Sequence, residues 1–263
     1  MKIVVLTENT AVRADAAFEH GLSLYIETNR HNILFDMGQT DAFVKNASLL
    51  GIDLSQVDIA VISHGHYDHG GGLSHFLRLN SKAPVYLSRY AFGGYYHGPE
   101  RYIGLDPALK ESNQLIFTGD QLIVDEELTF CSCNGCPGKY PLDSAGLSVK
   151  QNEDFIPDTF LHEQYLVITE ENRRVVFSGC SHKGILNIMD WLHPDILVGG
   201  FHFMKQELSD GENPVLQEAA KVLSGYPAVY YTCHCTGIPA YTYLKNKMGG
   251  QLFYLASGEV IDI

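Results

Sequence analysis

The chain has 263 residues, of which 45% are hydrophobic and 19% are charged, an ordinary composition for a globular protein with a large core. Its 18 lysines and arginines against 31 aspartates and glutamates give a net charge of −13 with neutral histidines. Because such an acidic surface repels nucleic-acid phosphates and anionic lipids, we expect neither a nucleic-acid partner nor a membrane partner.

The sequence predicts a cytoplasmic protein. The apolar run at residues 3–6 meets polar residues at 7–10 too soon for the hydrophobic part of a secretory signal. No segment approaches the ~20 apolar residues that a membrane span requires. The cysteines cluster in the second half instead of spreading evenly as in a disulfide framework, which fits a reducing compartment.

The first part of the chain reads as strands that lead into a histidine-rich loop. Strands are expected at residues 3–6, 21–27 and 32–35, and helical spacing of apolar residues predicts a helix over 40–50 that ends at Gly51. The run 57–62, which is apolar except for Asp58, predicts a strand buried on both faces. It runs directly into a segment of histidines and glycines, after which a helix at 73–79 and a strand at 84–87 are expected.

The middle of the chain, about 88–160, is rich in Gly, Pro, Tyr and Asn. We interpret it as a loop-rich insertion within a single domain of residues 1–263, which either shapes a substrate pocket or is a plain surface insertion. Beyond it, strands are expected at 165–169, 174–178, 196–198, 228–232, 251–255 and 259–263. Helices are expected at 185–192, 214–223 and 238–248.

Loops that contain histidine and glycine recur directly after buried strands. They occur at His64, His182, His202 and His234. In layered α/β folds, ligand sites lie beyond the strand ends, where side chains from several loops converge. The alternation of strands and helices in both halves predicts sheets that are covered by helices.

The loop after residue 62 carries four metal-ligand candidates, His64, His66, Asp68 and His69. Two histidines at positions i and i+2 can point the same way and share one ion. Asp68 and His69 are adjacent, so their side chains diverge and can serve a second ion beside the first. Imidazole and carboxylate groups suit Zn²⁺, Fe²⁺ or Mn²⁺. The sequence therefore predicts a two-metal centre.

The segment 63–73, Ser-His-Gly-His-Tyr-Asp-His-Gly-Gly-Gly-Leu, resembles the signature loop of the metallo-β-lactamase superfamily. Segments 19–23, 34–39, 178–182, 199–202 and 234–237 are similar to one branch of it. That branch includes archaeal dihydropterin ribofuranosyl-aminobenzene phosphate synthases and many unassigned hydrolases. The resemblance implies an α/β fold of the αββα four-layer sandwich type, with two pseudo-symmetric halves and the metals at one edge between the sheets.

The resemblance also implies a ligand set. The first metal would be held by His64, His66 and His182, and the second by Asp68, His69, Cys180 and His234. Cys180 stands where many members carry a bridging aspartate, as in some β-lactamases whose cysteine binds the second metal. His162 competes with His182 for the first metal, because other members carry their third histidine before the corresponding strand; we prefer His182.

Two further residues are candidates for substrate binding, Lys183 and His202. Lys183 follows the ligand cluster and could bind a substrate carboxylate or phosphate, or it could be a solvated lysine. His202 could contact substrate, or it could orient a metal ligand through a hydrogen bond.

Three cysteines form a separate motif, Cys131-x-Cys133-x-x-Cys136. Together with Cys233 or Cys235 they could bind zinc or an iron–sulfur cluster. The usual four-cysteine spacing is absent, however, so a structural role is the preferred interpretation.

The sequence contains neither a Gly-x-Ser-x-Gly elbow nor a phosphate-binding Gly-x-x-x-x-Gly-Lys loop, which favours a metal-activated hydroxide as nucleophile. We expect two divalent ions, zinc first, with iron or manganese as alternatives. Asp68 is assigned the catalytic role of orienting the hydroxide and passing its proton to the leaving group.

The leading functional hypothesis is a hydrolase that acts on a small-molecule ester, lactone, thioester or phosphoester. A pterin-linked phosphoribosyl-type synthase is the second hypothesis. A non-catalytic iron redox or sensor protein is the third, and it is disfavoured because the flavodiiron proteins, which share the fold, have a glutamate where His66 stands. A homo-oligomer is left open.

Overall fold

The computed structural model describes residues 1–263, with 18 strands and six α-helices. The strands in chain order are β1 Lys2–Thr7, β2 Ser23–Glu27, β3 Asn32–Phe35, β4 Ile59–Val61, β5 Val85–Ser88, β6 Tyr95–His97, β7 Arg101–Tyr102, β8 Leu115–Thr118, β9 Gln121–Ile123, β10 Leu128–Cys131, β11 Leu147–Gln151, β12 Asp154–Pro157, β13 Tyr165–Glu170, β14 Arg173–Phe177, β15 Ile196–Val198, β16 Val229–Thr232, β17 Leu252–Tyr254 and β18 Val260–Asp262. The helices are α1 Ala42–Leu49, α2 Tyr67–Gly70, α3 Leu73–Leu79, α4 Ile185–Leu192, α5 Pro214–Ser224 and α6 Ile238–Met248. No helix combines the length and the apolar character that crossing a bilayer demands.

Two mixed seven-stranded sheets form the centre of the fold. The first has the strand order β18-β1-β2-β3-β4-β5-β8 and the second has the order β17-β16-β15-β14-β13-β10-β9. In the first sheet, β1 to β3 pair antiparallel and β3, β4, β5 and β8 pair parallel. In the second, β9, β10, β13 and β14 pair antiparallel and β14 to β17 pair parallel. The two halves therefore repeat one arrangement.

Three apolar clusters hold the layers together. The cluster between the two sheets includes Phe35 and Phe177, whose ring centroids lie 5.6 Å apart. A second cluster packs α1 and α3 onto the outer face of the first sheet. A third packs α4, α5 and α6 onto the outer face of the second sheet. The order helix, sheet, sheet, helix confirms the predicted αββα sandwich.

The elements that the sequence predicted most directly have clear local causes. All three residues of β4 are buried, and β4 lies within the uninterrupted apolar residues 59–62. Helix α5 begins after Asn213, whose side chain accepts a hydrogen bond from the backbone N–H of Leu216, and Pro214 occupies its first turn. Both features are typical helix starts, because the first N–H groups of a helix lack partners within it.

The segment 88–160 contributes to all three sheets of the protein. It contains β6 to β12; β8 extends the first sheet, and β9 and β10 extend the second. The remaining strands form a third, four-stranded sheet with the order β12-β11-β6-β7. These strands are short and largely exposed, and every residue of β12 is exposed. Since such strands bury no regular face, they leave no alternation of apolar and polar residues in the sequence.

The parallel strands bring several loops to one edge of the molecule. The segments that follow β3 and β4 in the first sheet, and β14, β15 and β16 in the second, all leave at the carboxyl ends of parallel strands. Carboxyl ends of parallel strands meet at the same sheet edge, where ligand sites form. All of the histidine-containing loops identified in the sequence start at this edge.

Candidate metal centre

The ligand loop follows β4 and contains the short helix α2. His64 and His69 are fully buried, and His66 and Asp68 are 4% and 8% exposed. The loop is fixed by a hydrogen bond from the Tyr67 N–H to the Ile103 carbonyl, 2.9 Å. Gly72 is required by its surroundings, because a Cβ there would lie 2.1 Å from the Met37 carbonyl oxygen.

The first group of donor atoms consists of His64, His66 and His182, whose ring nitrogens lie within 4.8 Å of one another. The Nε2 atoms of His64 and His182 are 3.3 Å apart. His66 Nε2 and His182 Nδ1 are buried and have no hydrogen-bond partner. Because a buried polar atom without a partner costs about 1–3 kcal/mol, these atoms fit a group that is built to bind an ion.

The second group consists of Asp68, His69, Cys180 and His234. Asp68 Oδ2 lies 3.3 Å from His234 Nε2 and 3.8 Å from His69 Nε2. His69 Nε2 is also 3.2 Å from His234 Nε2 and 3.1 Å from the Cys180 sulfur. The four residues that the resemblance assigned to a second metal therefore converge, and their nitrogen, sulfur and oxygen donors suit a divalent transition metal.

Burial keeps most of the imidazoles neutral. It lowers the pKa of His66 to about 3 and that of His234 to about 4. The pKa values of His64 and His182 are also lowered well below the usual range, first by burial and then by neighbouring histidines. A neutral imidazole has a free lone pair on one nitrogen, which is the form that binds a metal.

The pKa values of Asp68 and His69 are shifted in the direction opposite to the one that burial alone would produce. Burial would raise the pKa of Asp68, but the nearby His69, His20 and His234 outweigh it and hold the pKa well below the usual range. Burial likewise opposes charge on His69, yet the carboxylates of Asp36 and Asp68 raise its pKa. The centre therefore contains one carboxylate among basic groups.

Several residues outside the two groups orient the ligands. Asp36 accepts hydrogen bonds from the backbone N–H and the hydroxyl of Ser63, both at 2.7 Å, and its Oδ2 lies 2.7 Å from His69 Nδ1. Ser63 Oγ is 2.8 Å from His64 Nδ1, and Asn9 Oδ1 is 2.7 Å from His234 Nδ1. Partners at one ring nitrogen leave the other nitrogen free for a metal.

His162 and His182 differ in the partners of their ring nitrogens. His162 Nδ1 accepts the backbone N–H of Gly65 at 2.9 Å, and its Nε2 lies 3.1 Å from Asp158 Oδ2. Both nitrogens of His162 are therefore engaged in holding the ligand loop, although the ring lies close to His66. The geometry favours His182 as the third histidine of the first group.

The sequence reasoning assigned no role at the metal centre to two residues that lie there, His20 and Cys235. His20 Nε2 is 3.3 Å from Asp68 Oδ2. Cys235 forms a compact donor group with Cys180 and His234. Segment 19–23 contributed to the family resemblance and is the one signal that could have identified His20. Cys235 was considered only as a possible fourth ligand of a metal or cluster bound by the cysteines of the 131–136 motif.

The structure corrects the prediction that Lys183 contacts substrate. Lys183 is 4% exposed and does not line the cavity described below. Its ammonium donates to the carbonyls of Ser132 (2.6 Å) and Glu163 (3.0 Å) and to Asn134 Oδ1 (2.7 Å). These three acceptors satisfy a buried charge that would otherwise be costly, so the side chain turns inward. Lys183 ties the segment 132–134 to the loop that carries His182.

The cysteines of the motif at 131–136 lie away from the other three. Cys133 and Cys136 flank a turn in which the Cys136 N–H donates to the Cys133 carbonyl, 3.1 Å. Cys233 is buried in the core between the sheets, and Cys235 lies at the metal centre. No metal-ligand group is formed by the three thiols.

A cavity of about 930 Å³ reaches the metal centre. His66, Asp68, Cys180, His182 and His234 form part of its lining. His202 also lines it, and its ring centroid lies 4.3 Å from that of His182. The remaining wall is mostly apolar, and the volume is typical of small-molecule sites.

The sequence model of the metallo-beta-lactamase superfamily matches residues 17–234 of the chain. An uncharacterised protein of Methanocaldococcus jannaschii is 29% identical over 272 residues, which cover 99% of this chain and 100% of that protein. The same organism's 7,8-dihydropterin-6-methyl-4-(beta-D-ribofuranosyl)-aminobenzene-5'-phosphate synthase is 26% identical over 297 residues, which cover 99% of this chain and 96% of the synthase.

The fold is also similar to a solved structure. The crystal structure of a metal-dependent hydrolase of the beta-lactamase superfamily, Tm1679, superposes with a TM-score of 0.80 and 30% sequence identity. The match covers 100% of this chain and 99% of that one.

Proposed function

The chain belongs to the metallo-β-lactamase superfamily, and on that premise we propose that it hydrolyses a small-molecule ester, lactone, thioester or phosphoester at a two-metal centre. The observation that carries the proposal is the convergence of the two donor groups, with buried, unpartnered nitrogens on His66 and His182, beside a cavity of small-molecule size.

Zinc is the metal that the donor set favours. His64, His66 and His182 would hold one ion, and Asp68, His69, Cys180 and His234 would hold the other. Zinc accepts imidazole, thiolate and carboxylate ligands alike, whereas manganese prefers oxygen ligands and is less suited to the Cys180 sulfur. Iron is the alternative that the histidines would accept.

The metals, when bound, would lower the pKa of a water ligand from 15.7 to about 7 and so supply a nucleophile at neutral pH. Asp68 would orient the nucleophile and pass its proton on, because Asp68 Oδ2 lies 3.3 Å from His20 Nε2, which can take up that proton. His20 is 45% exposed at its side chain and lines the cavity, so it can exchange that proton with solvent or with a leaving group.

The second candidate function is a synthase of the pterin-linked type. It is favoured by the synthase relative, whose similarity extends over nearly the whole of both chains. In such a reaction the metals held by the two donor groups would activate a pyrophosphate leaving group instead of a scissile ester.

Metal analysis combined with a turnover screen tests the proposed function. Protein purified without added metal is analysed for its elements and assayed over esters, lactones, thioesters and phosphoesters. We expect zinc near two equivalents and hydrolysis of at least one class. The His66→Ala variant should lose most metal and all turnover while its far-UV circular dichroism is unchanged, since the ligand loop lies at the sheet edge.

The matched control is His75→Ala, because His75 lies on α3 outside both donor groups and should keep metal and rate. Full metal content together with a wild-type rate in His66→Ala would contradict the assignment. Iron with an oxygen-sensitive absorbance band, and no hydrolysis, would favour the non-catalytic alternative.

A further inference from the structure

The cavity that reaches the metal centre is lined by two cationic side chains, Arg101 and Lys205. Arg101 comes from β7 in the third sheet, and Lys205 comes from the loop between β15 and α5. Neither residue was singled out by the sequence, because neither lies in a motif. In a chain with a net charge of −13, these are the two lysine or arginine side chains of a cavity that three carboxylates also line, so their position within it matters.

Arg101 is held directly beside the ligand loop. Its Nη2 donates to the Tyr67 hydroxyl at 2.7 Å, and its guanidinium carbon lies 5.7 Å from the centroid of the Tyr67 ring. Tyr67 stands between the ligand candidates His66 and Asp68, and its N–H is bonded to Ile103, two residues after Arg101. These contacts fix the orientation of the guanidinium and leave other N–H donors of the fork unused.

Lys205 is only partly satisfied by the protein. Its single hydrogen bond is to the Ala145 carbonyl at 3.1 Å, which leaves two ammonium N–H groups for another acceptor. Two carboxylates outside the metal centre also line the cavity, Asp143 and Glu218. Neither forms an ion pair with Arg101 or Lys205; the lysines and arginines that pair with carboxylates lie elsewhere.

His97 is close enough to both cations for their charges to lower the pKa of its ring. It is the residue paired with Arg101 across β6 and β7, and it lines the same cavity. Lys205, burial and Arg101, in that order, lower the pKa of His97. At neutral pH the ring is therefore uncharged and can donate a hydrogen bond without adding to the positive charge.

We propose that Arg101 and Lys205 form a subsite for an anionic group of the substrate, a carboxylate or a phosphate, other than the group that reacts at the metal centre. The inference rests on the proposed function and narrows its substrate class. An arginine fork matches the two oxygens of a carboxylate or phosphate, and the ammonium of Lys205 adds a second contact.

The rest of the cavity defines the other part of the substrate. Its apolar lining includes Ile103, Leu147, Ile185, Phe201 and Phe203. An apolar or aromatic body would pack here, with its anion at Arg101 and Lys205 and its reacting group at the metal ligands. The chemical class is thus an ester, lactone, thioester or phosphoester that carries a separate negative charge on an apolar frame.

A matched pair of fluorescent probes tests the subsite on the metal-loaded full-length protein. The dye 8-anilinonaphthalene-1-sulfonate carries an anion on an aromatic frame, and N-phenyl-1-naphthylamine has the same frame without the anion. We expect the wild type to bind the sulfonate more tightly, with an affinity that falls at high salt. The Arg101→Met/Lys205→Met double variant should lose about tenfold or more in sulfonate affinity and less than about twofold for the neutral dye.

The controls separate charge from folding. Lys150→Met removes an exposed lysine outside the cavity lining and should bind both dyes as the wild type does. Arg101→Lys keeps the charge and should recover part of the sulfonate affinity. Each single variant, Arg101→Met and Lys205→Met, should lose an intermediate amount, so the test does not depend on the folding of the double variant.

Displacement of the sulfonate dye distinguishes the two kinds of anion. Phenyl phosphate displacing better than benzoate would assign the subsite to a phosphate, and the reverse order would assign it to a carboxylate. Equal sulfonate affinity in the wild type and the double variant, or equal displacement by the neutral benzyl alcohol, would overturn the inference. Because neither dye is turned over, a failure of the turnover screen would reject the hydrolase and leave this result standing.

Discussion

At the scale of single residues, the chemistry of the centre is set by which groups are charged. Asp68 is held as a carboxylate by the histidines around it, whereas burial keeps His66 and His234 neutral. In this centre most imidazoles are neutral, the pKa of His69 is raised by neighbouring carboxylates, and the Asp68 carboxylate lies in contact with two imidazoles. The negative charge on Asp68 suits a metal ligand, and its contact with His20 offers a proton a route between the centre and the cavity.

Asp68→Asn should reduce turnover much more than it reduces metal content. Asparagine keeps the shape and a carbonyl oxygen but loses the negative charge and the basicity. Removing a general acid or base typically costs ~10²–10⁴-fold in rate. Turnover and metal stoichiometry are measured in one preparation. A rate that falls only in proportion to the lost metal would make Asp68 a ligand without a proton-transfer role.

His182→Ala and His162→Ala should have different effects. We expect His182→Ala to lose metal from the first group, because its Nδ1 has no other partner and its Nε2 lies beside His64 Nε2. His162→Ala should keep the metal but lower the free energy of unfolding by about 1–3 kcal/mol, since the buried Gly65 N–H loses its acceptor. Elemental analysis and urea unfolding of both variants decide the question; metal loss in His162→Ala alone would reverse the assignment.

At the scale of elements, the centre depends on how strand ends are tied to the ligand loop. Asp36 follows β3 directly and has a φ of 58°, in the left-handed region that aspartate and asparagine tolerate better than most residues. From there its carboxylate holds Ser63 at the end of the neighbouring strand and touches His69. One side chain thus fixes the spacing of two adjacent parallel strands and the orientation of a ligand.

Asp36→Asn should weaken metal binding more than it weakens the fold. Asparagine tolerates the same backbone conformation and can still accept from Ser63, but it cannot support His69 with a negative charge. Loss of such a supporting group typically costs 10–100-fold in metal affinity. Competition with a chromophoric chelator measures the affinity, and urea unfolding of the metal-free variant measures the stability. Unchanged zinc affinity would contradict the role of Asp36.

At the scale of the whole molecule, the metal-free protein contains many buried neutral histidines. The pKa of His66 is about 3 and those of His202 and His234 are about 4, against about 6.5 in an unfolded chain. Between these values the unfolded state binds more protons than the folded state. Stability therefore falls as the pH is lowered from about 6.5 towards 4.

We expect the chelator-treated protein to lose stability steeply over this pH range. Each such histidine contributes on the order of 1.4 kcal/mol per pH unit within its window. His69, whose pKa is raised, acts in the opposite sense, as its contribution is lost when the pH rises through its folded value. Chemical denaturation at several pH values measures the slope, and His66→Ala should reduce it. A metal-free protein equally stable at both ends of the range would contradict this account.

The fold could be predicted because its signals are local and repeated. The uninterrupted apolar residues 59–62 can be buried on both faces only in the interior of a sheet, and β4 lies there. The helices expected at 214–223 and 238–248 are present as α5 and α6. The third sheet was not visible, since its short, exposed strands bury no regular face.

The sequence by itself determined the ligand loop, because His64, His66, Asp68 and His69 lie within one turn-rich segment whose backbone fixes their spacing. The alternation of strands and helices predicted sheets covered by helices, and the resemblance to the superfamily implied the αββα order of the layers. Only the tertiary structure decided which distant groups join the ligand loop. His182 lies beside His64 and His66, whereas both ring nitrogens of His162 are hydrogen-bonded to other groups. Lys183 is turned inward, where three acceptors bind its ammonium. Arg101 and Lys205 line one cavity because the third sheet and the loop after β15 pack around it. The two residues are far apart along the chain, and no local sequence pattern encodes the packing that brings them to the same cavity.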